Sequence, residues 1–214
     1  MPASNIDFAE VIDLGRMPYG QALEIQLIWH QKVLAGAKPV ILTVEHEPVL
    51  TVGKNSDQKN LLFPVEFYKN SGIDFYETER GGEVTAHMPG QLVVYPIIDV
   101  ANRRLSVRDY INGLEEAVIG TLNFFGIKAD RDPEHPGVWV ETRKICAIGV
   151  RVKSRVTLHG LALNVNNSLD LFGKIIPCGI RSRGVTSMKE QLSAPLDMLK
   201  VRDELLKRIS SKIS

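Results

Sequence analysis

The chain holds only two cysteines, Cys146 and Cys178, among 214 residues. Two thiols cannot staple a chain of this size, so a disulfide scaffold is excluded and a reducing setting is expected. Charge of one sign is also lacking: 26 basic residues against 25 acidic ones leave a net charge of +1. That balance removes the global field of a nucleic-acid or membrane-surface binder and leaves any charged partner to a local patch. No apolar run approaches the roughly 18 residues that span a bilayer. The first residues, Met-Pro-Ala-Ser-Asn-Ile-Asp, have neither the basic nor the apolar region of a secretory leader, so the expected location is the cytoplasm. Also missing are a glycine loop ending in Gly-Lys-Ser/Thr, the G-x-G-x-x-G fingerprint, and histidines at H-E-x-x-H spacing. There is no internal repeat, low-complexity tract or linker.

What is present suffices for one sizeable core, with 44% apolar residues, and the expectation is a single α/β domain over residues 1–214. Ala9 to Leu14 reads as a strand. Pro18 then opens a helix from Tyr19 to Leu34 that Gly36 closes, with Ala22, Ile25, Trp29 and Val33 on the face toward a sheet. His30 beside that face reads as a partly exposed helix histidine. Pro39–Val44 and Val49–Gly53 read as paired strands. Between them His46, flanked by Glu45 and Glu47, is a candidate ligand or base, but without a second histidine at metal spacing solvated loop chemistry is the favoured reading. A polar loop from Asn55 to Asn60, a short helix from Pro64 to Asn70 and a strand from Ile73 to Glu77 follow.

The next stretch, Glu79-Arg80-Gly81-Gly82-Glu83-Val84-Thr85-Ala86-His87-Met88-Pro89-Gly90-Gln91, brackets a short alternating piece with turn formers. Gly81-Gly82 lets backbone approach a ligand, Arg80 brings a fixed cation, and Thr85 and His87, two apart on a strand, share a face. The bland alternative is a hairpin. Leu92 to Ile98 is plainly strand-like. Ser106 with Asp109 forms a helix N-terminal box, and the helix runs to Phe125 before Gly126. Its Val107, Ile111, Leu114, Val118, Leu122 and Phe125 have core spacing.

After a possible strand at Ile127–Ala129, Gly137–Glu141, Lys144–Val152 and Val156–Val165 read as a three-stranded meander. Lys144, at a strand start among apolar neighbours, is either an edge gatekeeper with its head in water or a desolvated amine suited to acid/base work. Position alone favours the gatekeeper. Proline and glycine frame Cys178 in Ile176-Pro177-Cys178-Gly179-Ile180, a context that holds a side chain at the mouth of a turn; this stretch alone nevertheless favours an inert buried thiol. A basic loop, Arg181–Ser187, leads to a last helix opened by Ser193, Ala194 and Pro195. That helix carries Met198, Val201, Leu205 and Ile209 inward, with a frayed tail from Ser210.

Taken together, Arg80-Gly81-Gly82 with Thr85 and His87-x-Pro89-Gly90-Gln91, Gly137-Val138-Trp139 with Lys144-Ile145, His159-Gly160-Leu161-Ala162-Leu163-Asn164, and the Cys178 segment closely resemble the lipoyl(octanoyl) transferase family. His46-Glu47-Pro48 with Thr51-x-Gly53 is similar to it too, and the likeness covers about residues 9 to 190. The resemblance implies the α/β architecture of biotin and lipoate protein ligases, a mixed and largely antiparallel sheet flanked by helices. It implies an acyltransferase that moves an octanoyl group from octanoyl-acyl carrier protein to a lysine of lipoyl domains. The acceptors would be 2-oxoacid dehydrogenase complexes and the glycine cleavage H protein, with no cofactor or metal, no nucleic acid and no membrane. Carried across, it makes Cys178 the nucleophile and thioester carrier and Lys144 its partner. Arg80, Gly81, Gly82, Glu83, Val84, Thr85, Ala86 and His87, then Ala147, Ile148 and Gly149, then Gly160, Leu161 and Ala162, would line the acyl site. Cys146 stands where the family more usually has alanine.

That chemistry suits the residues, because a thiolate attacks a thioester readily and the new thioester stays reactive toward an amine. Scattered Arg103, Arg104, Arg108, Arg151, Lys153, Arg155, Arg181 and Arg183 either meet an acidic carrier or are simply solvated. Two other readings are an ATP-dependent lipoate or biotin ligase on the same fold and a non-catalytic binding module for lipoyl domains. A third, a cysteine hydrolase, would need His87 or His159 to approach Cys178.

Overall fold

The structure is a computed structural model that describes residues 8–54, 56–176 and 183–214. In chain order the elements are β1 (Glu10–Met17), α1 (Tyr19–Leu34), β2 (Val40–His46), β3 (Val49–Val52), α2 (Val65–Asn70), β4 (Asp74–Glu77), β5 (Val84–His87) and β6 (Gln91–Ile97). There follow α3 (Val107–Phe124), β7 (Asp130–Arg131), β8 (Val138–Val140), β9 (Arg143–Lys153), β10 (Val156–Asn164), α4 (Met188–Leu192) and α5 (Met198–Ile213).

The strands form a seven-stranded sheet in the order β1-β2-β6-β10-β9-β8-β7 and a three-stranded sheet in the order β4-β3-β5. Only the β1–β2 and β3–β4 pairs are parallel; the remaining pairs are antiparallel. Alternation explains the two cores of the large sheet. Val40, Leu42 and Val44 of β2, with Val93 and Tyr95 of β6, face α1, whereas Ile41, Leu92 and Val94 face α3 and α5. Covered on both faces, these strands read as unbroken apolar runs. A third core lies under the small sheet, where Leu50, Val84 and Ala86 meet Tyr68, Phe172 and Ile175.

Several expectations change. β2 and β3 do not pair: the chain passes through Glu47-Pro48 into the other sheet, where the Pro48 carbonyl accepts from the Asp74 N–H at 3.0 Å. His46 is not in a solvated loop but ends β2, fully buried, with Nε2 2.7 Å from the Tyr95 hydroxyl. In α1 the buried face is Tyr19, Ala22, Gln26, His30 and Val33. His30 is buried because its ring bonds the Lys153 carbonyl at 3.0 Å, and Gln26 because Oε1 accepts from the His159 N–H at 2.9 Å. α4, capped by the Ser187 side chain, is a helix that the sequence reading passes over. The final helix does not fray at Ser210: Ile213 is fully buried and packs so closely on Gly113 that a Cβ there would lie 2.8 Å from its methyl.

Candidate active site

β9 outruns β8. Its first residues pair with β8, while Ala147–Val150 continue beyond the end of β8, and the Gly81 N–H reaches across to the Val150 carbonyl at 3.0 Å. This bond closes the Arg80–Glu83 loop over a cavity of about 430 Å³, within the ~300–1,000 Å³ of small-molecule pockets. Arg80, Gly81, Gly82, Glu83, Val84, Thr85 and His87 line one wall. Ala147, Ile148 and Gly149 of β9 and Gly160, Leu161 and Ala162 of β10 line another, and Lys144 is in contact with the same space. Ala86 is not in that lining: alternation turns it into the core of the small sheet, beside Leu50 and Phe172.

Residues that the sequence reading did not single out as site residues join them. Tyr19, Val93, Tyr95, His135, Pro136 and His159 line the cavity, as do Val107 and Ile111 of α3. The spacing of Val107 and Ile111 marks them as core, yet Val107 is 44% exposed because the cavity, rather than packed side chains, lies beside it.

Arg80 is the cation of the glycine loop and is buried. Its Nη2 donates to the Thr51 carbonyl at 2.6 Å and to Thr51 Oγ1 at 2.9 Å, while Nη1 donates to the Gly81 carbonyl at 3.0 Å. The guanidinium therefore fastens the loop to β3, a use of its fixed fork that lysine could not copy. Gly53 and Gly149 make room for it. A Cβ at Gly53 would run into the Gly82 carbonyl, and one at Gly149 would lie 3.0 Å from the Gly81 carbonyl.

Imidazoles collect at the inner wall: His87 and His159 line it, and the His46 ring centre lies 5.6 Å from that of His87. Burial lowers His46 to about 4, and it lowers both His87 and His159 to about 3, with the Arg80 charge adding to it in the latter two. All three are neutral at neutral pH. Burial likewise pushes Tyr19 up to about 12 and Tyr95 well above its usual range. His159 has φ +60° inside β10, a left-handed conformation rare outside glycine. The β10–β6 pairing runs from Asn164↔Gln91 to Leu161↔Val94, and continuing that register would set His159 opposite Pro96, which has no N–H to give. The strand therefore turns there, the His159 N–H goes to Gln26, and the ring faces Tyr19, whose hydroxyl is 3.5 Å from Nδ1.

Lys144 is not a gatekeeper with its head in water: it is only 6% exposed. Its Nζ donates to the Pro136 carbonyl at 2.9 Å and lies 4.7 Å from the Trp139 ring centre. Glu115 accepts from the Gly137 N–H at 2.9 Å and so holds the turn that presents Pro136. A register shift between β8 and β9 sends both Ile145 and Cys146 into the core and turns Lys144 to the side of Ala147. A regular strand would put residues three apart on opposite faces.

Residues 177–182, and with them Cys178 and Arg181, lie outside the described residues. Both flanks are anchored. The Ile176 N–H donates to the Asn60 carbonyl at 2.8 Å, and Asn60 Nδ2 donates to Glu83 of the glycine loop at 2.6 Å. On the other side Arg183 pairs with Asp132 and lies over the same Trp139 ring as Lys144. The Lys144 N–H then donates to the Gly184 carbonyl, and the Thr186 N–H to the Lys144 carbonyl, both at 3.0 Å. Cys146 is fully buried, and burial raises its thiol far above the usual range, outweighing the opposing charge of Lys144. Among the described residues there is no group of three or more His, Cys, Asp or Glu able to hold a metal ion, and no helix long and apolar enough to cross a membrane.

Architecture and cavity together define a catalytic domain of the lipoate and biotin protein ligase type. The solved lipoate-protein ligase A bound with ATP superposes with a TM-score of 0.77, covering 95% of this chain and 85% of that one at 17% identity. Biotin protein ligase from Aquifex aeolicus follows with a TM-score of 0.59 over 95% of this chain and 69% of that one, at 15% identity. The family model of the lipoyl protein ligase A/B catalytic domain matches residues 18–210. The octanoyltransferase of Alkaliphilus metalliredigens is 42% identical over 87% of each chain. That of Nitratidesulfovibrio vulgaris strain Miyazaki F is 43% identical over 85% of this chain and 84% of its own. A Porphyromonas gingivalis octanoyltransferase is 42% identical over 90% of this chain, which spans only 42% of that relative's length. The chain belongs to the lipoyl(octanoyl) transferase family, within the lipoyl protein ligase A/B catalytic domains.

Proposed function

We propose that this protein, acting as one domain in the cytoplasm, transfers an octanoyl group from octanoyl-acyl carrier protein to a lysine of lipoyl domains by way of a thioester on Cys178. The acceptors are the lipoyl domains of 2-oxoacid dehydrogenase complexes and the glycine cleavage H protein. The observation that carries the reading is the meeting of a mostly apolar cavity with the buried Lys144 amine, whose backbone is bonded to the segment that follows Cys178. Relatives named octanoyltransferase at 42–43% identity support it.

In the first half-reaction the Cys178 thiol gives its proton to Lys144, and the sulfur attacks the donor's carbonyl carbon. The tetrahedral adduct collapses by breaking the bond to the carrier's sulfur, which leaves as a thiol after taking the proton back. In the second, the acceptor lysine's amine attacks the Cys178 thioester, an amide bond forms, and the carbon–sulfur bond to Cys178 breaks. Lys144 accepts the proton lost by the amine and returns one to the sulfur. Backbone N–H groups near Cys178-Gly179, or that of Gly160, would hold the oxyanion, at about 3 kcal/mol for each well-aimed donor. Burial of the chain in the cavity adds about 0.8 kcal/mol per methylene.

Intact mass spectrometry after mixing with octanoyl-acyl carrier protein tests this reading. An octanoyl increment that Cys178→Ala abolishes and Cys146→Ala leaves in place supports it. An increment surviving Cys178→Ala, or transfer that requires ATP, overturns it in favour of ligase chemistry; complex formation without any transfer leaves a binding module.

A further inference from the structure

A line of buried polar groups joins the glycine loop to the Lys144 strand. Arg80 donates to Thr51 Oγ1 through Nε at 3.2 Å and Nη2 at 2.9 Å. Thr51 Oγ1 lies 3.5 Å from His87 Nε2, and His87 Nδ1 lies 2.8 Å from Gln91 Oε1. Gln91 Nε2 donates to the Ala86 carbonyl at 3.1 Å and to Asn164 Oδ1 at 2.9 Å. Asn164 Nδ2 donates to the Thr186 carbonyl at 3.0 Å, and the Thr186 N–H donates to the Lys144 carbonyl. Thr51, His87, Gln91, Asn164, Thr186 and Lys144 are all buried.

The line has only one sense. Two backbone carbonyls, Ala86 and Thr186, can only accept, so both amides must present their NH₂ groups to them. Gln91 Oε1 then faces His87, which must hold its proton on Nδ1 and leave Nε2 to accept from the Thr51 hydroxyl. Asn164, the last residue of β10, and Gln91, the first of β6, are cross-strand partners, so the sheet sets the spacing of the two amides. Thr186 follows Cys178 by eight positions and is bonded on one side to Lys144 and on the other to Asn164.

We infer that Asn164 is a positioning residue for the transfer reaction: its carboxamide ties the segment 184–186, whose backbone is bonded to Lys144, to β10 and, through Gln91 and His87, to the Arg80 loop. The inference rests on the Cys178–Lys144 reading above. Without the amide, the segment 184–186 loses its side-chain tether to β10, and a displacement near 1 Å between reacting groups costs about 100-fold in rate.

The test compares Asn164→Ala, Asn164→Asp and Lys144→Ala by iodoacetamide alkylation of Cys178 across the pH range, with stopped-flow formation of the octanoyl enzyme. Asn164→Ala is expected to slow octanoyl-enzyme formation about 10- to 100-fold with little change in donor KM, and to move the alkylation profile toward higher pH, as Lys144→Ala does. Asn164→Asp keeps the acceptor but can donate to Thr186 only when its carboxyl is protonated. Its activity relative to the native protein should therefore be highest at low pH and fall as pH rises. An Asn164→Ala profile matching the native one while Lys144→Ala shifts overturns the positioning role and leaves the Cys178–Lys144 reading intact. Asn164→Asp tracking Asn164→Ala at every pH also overturns it. No shift in either Asn164→Ala or Lys144→Ala removes the reading and the inference together.

Discussion

The two ends of the cavity treat proton-carrying groups in opposite ways. At the inner end His46, His87 and His159 are buried, and desolvation holds them neutral. His46 and His87 turn polar edges toward Tyr95 and Gln91 inside the wall, so these rings add no charge to it, and the Arg80 guanidinium is held by the Thr51 and Gly81 carbonyls. At the outer end Lys144 Nζ sits on a backbone carbonyl and an aromatic face that Arg183 shares. Proton transfer in the proposed reaction therefore belongs to the outer end alone, and the inner end is suited to hold a chain of methylenes.

The largest effect is expected at the outer end. Lys144→Met, which keeps the length of the side chain, should slow octanoyl-enzyme formation about 10²- to 10⁴-fold while the protein stays folded. Stopped-flow mass increments read this directly, and a rate within a few-fold of native would move the proton chemistry elsewhere, with the inner histidines next in line.

The inner end should appear in stability rather than rate. Folded, its imidazoles take up protons only near pH 3 to 4; unfolded, they do so near ~6.5. Between those values the unfolded chain binds more protons, so this contribution is complete above about pH 6.5 and is lost as pH falls toward 4. The slope is at most about 1.4 kcal/mol per pH unit for each imidazole. Urea midpoints at about pH 7 and pH 5 should show the fall, and His46→Gln should flatten it. An unchanged slope in His46→Gln would mean that His46 titrates in the folded protein as it does in the unfolded chain.

Between the ends lies the glycine loop, where the expected loss is geometric. A methyl at Gly53 would strike the Gly82 carbonyl, and such overpacking costs about 1–3 kcal/mol. Gly53→Ala should raise the donor KM by pushing the Arg80 loop off β3. A lower melting temperature with an unchanged KM would mean that the loop moves without reshaping the cavity.

How much of this could be read along the chain depends on whether a feature is local. The bounds of α1 follow from Pro18 and the residues before Gly36, and the box at the start of α3 is seen as read, with Asp109 bonded to Ser106. The meander of β8, β9 and β10 is also legible, because short turns leave antiparallel pairing as the simple solution. Where sequence reading alone fails, the partner is distant. Gln26 and His30 have no apolar reason to face inward, but the irregular backbone at His159 and Lys153 supplies one. His46 between two carboxylates looks solvated until Tyr95 is brought beside it from β6. Lys144 resembles an edge lysine because neither the register shift nor the segment 184–186 bonded beside it is visible in a linear pattern. Pro96 inside β6 was a signal within reach, since a central-strand proline demands an irregular partner.

The smallest effect is expected at Cys146, and it separates nearness in sequence from nearness in space. Cys146 is two positions from Lys144; if proximity to that amine activated a thiol, it would be the first candidate. The register shift instead sends it into the core with Ile145, and burial raises its thiol more than Lys144 lowers it. A thiol held protonated there has neither the charge nor the access to attack a thioester. Cys146→Ala should therefore leave the transfer rate within about twofold and reduce stability by about 1 kcal/mol, roughly the loss of one buried methylene-sized group. Iodoacetamide should label Cys146 only as fast as the protein unfolds. Labelling in the native state, or an octanoyl increment lost in Cys146→Ala, would place a reactive thiol on the wrong side of β9 and dissolve the division between the two ends.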